Sequence, residues 1–73
     1  MTREAMNKLP QHIQAQIEAY RSQYKTAKED YLSGMRTNVE AARCASSAYM
    51  RGLKDAGLIT EMERRALFLY TTV

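Results

Sequence analysis

One histidine, one cysteine and a scatter of carboxylates are all that this 73-residue chain offers to catalytic or metal chemistry. His12 lies among Gln11, Gln14 and Gln16 near the start of a predicted helix, the setting of a solvated surface side chain. Cys44 sits among alanines and reads as a small apolar residue expected to be buried, with no base at hand to activate it. One histidine and one cysteine make none of the common zinc spacings, and no glycine-rich phosphate loop or nucleotide fingerprint occurs. The carboxylates have cations at helical spacing: Glu4 with Lys8, Glu18 with Arg21, Glu40 with Arg43, and Glu61 with Arg64 and Arg65. Such pairs are surface ion pairs rather than an acid/base couple. So short a chain can hardly enclose a concave site. The expectation is no enzyme activity, no cofactor, no metal and no small-molecule substrate.

The bases deserve separate weighing. Eleven Lys and Arg against eight Asp and Glu give a formal charge of +3. Arg21, Lys25 and Lys28 share one face of a predicted helix, and Arg36, Arg43, Arg51 and Lys54 the polar side of the next. Stripes of this kind can follow a phosphate backbone. Glu29, Asp30, Glu40 and Asp55 dilute both. A helix-turn-helix reading would make the helix from Glu61 the recognition helix, whose first residues approach DNA. Glu61 and Glu63, followed by an apolar body, oppose that.

The elements that carry these residues are best specified between Leu53 and Glu63. With Gly57 in the left-handed position after a helix, Leu53 and Leu58 take the two places that frame such a stop. Thr60 with Glu63 three residues on is a capping box, and Glu61 and Glu63 put negative charge in the first turn. A helix stops and another starts within a few residues.

One proline, three glycines and abundant Ala, Gln, Glu, Lys, Arg, Met and Leu favour helix throughout, so the fold class is all-α. Residues 1–9 read as an N-terminal arm with at most one turn, capped by Thr2, and residues 10–73 as a single helical domain. From Pro10, the residues Ile13, Ile17, Tyr20, Tyr24, Ala27 and Tyr31 alternate spacings of four and three, a heptad seam. Three tyrosines in it place their hydroxyls at a boundary. A second seam follows: Val39, Ala42, Ser46, Tyr49, Leu53 and Ala56. It does not continue the first register, and Gly34 with a capping box at Thr37 and Glu40 separates the two. The expectation is three helices, about 10–32, 38–56 and 61–70, as a small bundle or a hairpin plus a short C-terminal helix. The alternative is one long helix over 10–56, in which an interior glycine costs only about 1 kcal/mol.

Beside the second seam runs a stripe of Ala41, Ala45, Ala48 and Gly52, small enough for another helix to approach closely. On the last helix, Met62, Ala66, Leu69 and Val73 share a face, while Leu67, Phe68 and Tyr70 cover much of the rest. Either this helix fills a three-helix core or it meets a second copy or another protein. The small size of the chain favours a homodimer or a docked partner. A lone cysteine, a polar start and no membrane-length apolar run predict a soluble, cytoplasmic protein without a membrane partner.

The segment from Tyr49 to Leu67, with Leu53, Ala56-Gly57-Leu58-Ile59-Thr60 and Glu63, resembles the SHOCT type of short C-terminal module. The resemblance implies a helix, a Gly-Leu-Ile-Thr turn and a second helix, with an oligomerisation role. Arg64 stands where that family usually carries an aromatic residue. In general type the chain is also similar to accessory proteins of phages and prophages. The functional expectation is a non-enzymatic adaptor or modulator, homodimeric, with Ala41, Ala45, Ala48, Gly52, Met62, Leu67, Phe68 and Tyr70 as its interface. The alternative is a basic nucleic-acid binder or transcription regulator using Arg21, Lys25, Lys28, Arg43, Arg51 and Lys54.

Overall fold

The computed structural model describes residues 2–35 and 38–73, and among these the only regular elements are helices. They are α1 (Thr2–Asn7), α2 (Gln11–Leu32), α3 (Val39–Asp55) and α4 (Glu61–Thr71). Four helices stand where three were expected, because the N-terminal segment is itself a helix packed on α4. Ala5 and Leu9, four residues apart, are buried in the common core, with Met6 packed beside them. Two buried apolar residues suffice to dock a segment that is otherwise polar.

Pro10 caps α2, its carbonyl accepting from the N–H groups of Ile13 and Gln14 at 3.0 Å each. Its missing N–H costs nothing at a helix start. The helix stops at Gly34, whose φ is +88°. The Gly34 N–H donates to the Tyr31 carbonyl at 3.1 Å and the Met35 N–H to the Asp30 carbonyl at 3.0 Å. That is the paired bonding of a left-handed glycine stop, and it rules out one helix over 10–56. The expected cap at Thr37 lies outside the described residues. Asn38 caps α3, its side-chain oxygen accepting from the Ala41 N–H at 2.9 Å.

The same stop recurs at the end of α3. Gly57 has φ +77°, its N–H donates to Lys54 at 2.9 Å, and the Leu58 N–H donates to Leu53 at 3.0 Å. Thr60 then closes the expected capping box: it accepts from the Glu63 N–H at 3.1 Å, and its own N–H donates to Glu63 Oε1 at 2.8 Å. The left-handed glycine, the capping box and the acidic first turn read into this joint are all present, while the Leu58 side chain is 40% exposed.

The core gathers Ile13 and Ile17 of α2, Met50 and Leu53 of α3, Ile59 of the joint and Leu67 of α4. Met50 is fully buried although the expected α3 seam passes through Tyr49, which is half-buried. Ser46 and Thr71, also fully buried, join α3 to α4 through hydroxyls 2.5 Å apart. Thr71 donates to the Phe68 carbonyl at 2.9 Å, so Ser46 donates to Thr71 and both hydroxyls are satisfied.

The α2 seam divides in two. Ile13 and Ile17 are buried, Tyr20, Tyr24 and Ala27 are half-buried, and Tyr31 is 63% exposed. The reason is length: 22 residues make α2 about 33 Å long and 11 make α4 about 16 Å. The Tyr20 and Tyr49 rings meet at 5.1 Å in a tilted contact, and α4 ends at Thr71 against Ser46, while α2 runs on to Leu32 and α3 begins at Val39. The radius of gyration is 12.5 Å, whereas a compact domain of this length has about 11 Å. The accessible surface is 5020 Å², against about 4,600 Å² for a monomer of this mass.

Candidate interaction surfaces

Four of the expected interface residues belong to α4, and the structure divides them. Leu67 is fully buried, Phe68 and Tyr70 are half-buried against the core, and Met62 is 65% exposed. What α4 turns outward is Met62 and Leu69, the latter 59% exposed, and Val73, two residues past its end, is 83% exposed. With half-buried Ala66 they form the stripe that periodicity picks out, and it faces solvent instead of the core.

Polar contacts on the inner flanks of α4 fix this rotation. The Tyr70 hydroxyl donates to the Glu18 carboxylate, and the Arg21 guanidinium lies 4.5 Å over the Tyr70 ring. Its Nη1 also reaches the Tyr70 oxygen at 3.5 Å. The bond to Glu18, then burial, pushes the Tyr70 hydroxyl above its ordinary pKa. At the start of α4, Lys8 reaches Glu63 at 2.6 Å, and Glu61 takes both Arg64 and, at 3.4 Å, Lys54. The Arg64 hydrogen bond holds Glu61 below the usual carboxylate range, and Lys8 with the Thr60 N–H does the same for Glu63. Glu40–Arg43 and Glu61–Arg64 thus pair as their spacing implies, whereas Lys8 and Glu18 find partners across the fold.

Ala41, Ala45, Ala48 and Gly52 are all exposed along the outer side of α3, and a Cβ on Gly52 would meet nothing within 4 Å. Cys44 is exposed as well, contrary to its apolar surroundings in sequence. α3 turns Ser46, Met50 and Leu53 inward, which carries Cys44 to the opposite side. His12 is exposed.

Among the described residues the cations form no single patch. Arg21, Lys25 and Lys28 line one depression of about 300 Å³ on α2 together with Glu29, Leu32 and Val73. On α3, Arg51 borders Ala48, Gly52 and Asp55, while Arg43 and Lys54 are engaged with Glu40 and Glu61. At the far end of α2, Tyr24, Tyr31 and Leu32 meet Asn38, Val39 and Glu40 around a second open depression. Met35, 60% exposed, follows on the same turn.

No protein-family model, curated protein or solved structure matches the chain. Among the described residues no helix is long and apolar enough to cross a membrane.

The cross-fold contacts had no signal in the sequence. Lys8 and Glu63 are 55 positions apart, and Glu18 and Tyr70 are 52. The outward Met62–Leu69–Val73 stripe did have one, its four-three spacing, but periodicity identifies a face without saying which way it points.

Proposed function

We propose that the protein is a small, non-enzymatic helical interaction protein that works as a homodimer and acts by holding another macromolecule. One observation carries this reading: the α2 seam passes from buried Ile13 and Ile17 through half-buried Tyr20, Tyr24 and Ala27 to exposed Tyr31. A heptad seam that ends exposed at Tyr31 calls for a second layer of helix there. A second copy supplies that layer at the tyrosine end, with the small-residue side of α3 free for close approach. The SHOCT-like stretch over residues 49–67 points the same way, since that resemblance implies oligomerisation. The unpaired thiol of Cys44 fits a reducing, cytoplasmic setting.

The nucleic-acid alternative gains less support. Arg21 is committed to Tyr70, Arg43 to Glu40 and Lys54 to Glu61. The test is a light-scattering mass across a wide concentration range. The parent chain should shift from one copy to two, and the Tyr31→Asp, Met35→Asp variant should stay monomeric with unchanged helix content. A parent chain that stays monomeric at every concentration defeats the reading.

A further inference from the structure

We infer that the outer side of α4 and the cationic side of α2 together form a docking track for an acidic amphipathic helix. The inference rests on reading the chain as an interaction protein and names the chemistry of its partner. The apolar floor is Met62, Ala66 and Leu69 of α4, spaced four and three, followed by Val73 just past the helix end, and Leu32, 75% exposed, extends it across the depression that Val73 shares with α2. A track about 16 Å long suits a helix presenting apolar anchors at matching intervals.

Charge selects the occupant. Lys25 and Lys28 line the depression at the Val73 end of the floor, beside Arg21, which is engaged with Tyr70, and exposed Arg65 stands on the other flank of α4. Glu29 is the one acid lining that depression, and the Glu18 carboxylate nearby is already bonded to Tyr70. A two-fold contact of this track with its own copy would bring like-charged edges together, which disfavours a second copy here. Carboxylates flanking an apolar stripe match the edges on both sides.

The test uses the full chain and a helix-stabilised synthetic peptide carrying leucines at i, i+4, i+7 and i+11 with glutamates on both flanks. A matched peptide has lysines in place of the glutamates. Fluorescence anisotropy should show the acidic peptide bound at least about tenfold more tightly than the lysine peptide, weakening with salt. Leu69→Asp should lose about tenfold in affinity, and Lys25→Glu with Lys28→Glu a similar factor. All three positions are exposed, so circular dichroism should show an unchanged fold. The Tyr31→Asp, Met35→Asp variant, monomeric on the dimer reading, should bind the acidic peptide as the parent does. Its binding therefore separates a failure of the dimer from a failure of the track. Equal binding of the two peptides overturns the inference, as does no binding of the acidic one. So does stronger retention of the chain by phosphatidylserine vesicles or duplex DNA than by the acidic peptide.

Discussion

The two ends of the α2–α3 hairpin are built from the same devices and end in different states. Near Ile17 the pair is roofed by α4 and plugged by α1, and Ile17, Met50 and Leu67 are fully buried. Near Tyr31 the same two helices continue with Tyr31, Leu32 and Met35 at 60% exposure or more. Both ends have a left-handed glycine stop and a side-chain cap, at Gly57 and Thr60 in one case and Gly34 and Asn38 in the other. Local signals therefore define where the helices begin and end, while closure depends on how far a third helix reaches. An 11-residue α4 cannot cover a 22-residue α2.

The largest effects should separate the two ends most sharply. Leu67→Ala should cost about 3 kcal/mol of unfolding free energy by urea denaturation, as a fully buried leucine does when truncated. Tyr31→Ala should change the stability of the monomer by less than about 0.5 kcal/mol and weaken only self-association. Next come the glycines. A Cβ at Gly57 or Gly34 meets no neighbour, so each change to Ala carries only the left-handed backbone cost, about 1–2 kcal/mol. Gly57→Ala should lower the global midpoint, and Gly34→Ala should chiefly increase fraying of the α2 end at low protein concentration. The caps should repeat this on a smaller scale: Thr60→Ala costs about 1 kcal/mol globally, and Asn38→Ala loosens the start of α3.

The smallest effect is a pH limb confined to the closed end. Glu63 has a lowered pKa because Lys8 and the Thr60 N–H bind its charged form. Its contribution is complete above the unfolded carboxylate value of about 4.3 and is lost as pH falls through the lower folded value. Lys8→Met should flatten that acid limb in a series of denaturation curves. On the alkaline side Tyr70 has the opposite sign. Its raised value means stability held below about pH 10 and lost as pH climbs through the folded value. Tyr70→Phe should remove its share.

Much of the fold was legible in the residues because it is written locally. The joint from Leu53 to Glu63 needs only neighbouring residues, and Gly34 marks the break between the α2 and α3 seams in the same way. The docking of α1 was not legible, since it depends on Ala5 and Leu9 meeting residues of α4 far along the chain. Nor was the rotation of α4, which the Tyr70–Glu18–Arg21 contact and the buried Ser46–Thr71 pair set. That rotation moves Leu67 from the expected interface into the core and leaves Met62, Leu69 and Val73 outside. The Ala41–Gly52 stripe was readable as a face of small residues suited to a close helix contact, but its exposure was not, because spacing does not say which side of α3 meets the core.

Amide hydrogen exchange of the full chain at low and high protein concentration tests the contrast between the two ends most directly. Around Ile17, Met50 and Leu67 protection should be high and independent of concentration. From Tyr24 to Leu32 and from Val39 to Ala45 it should be weak when dilute and rise with concentration as the proposed second copy covers the tyrosine seam. Distal amides as well protected as the core at the lowest concentration, or indifferent to concentration throughout, would contradict the account.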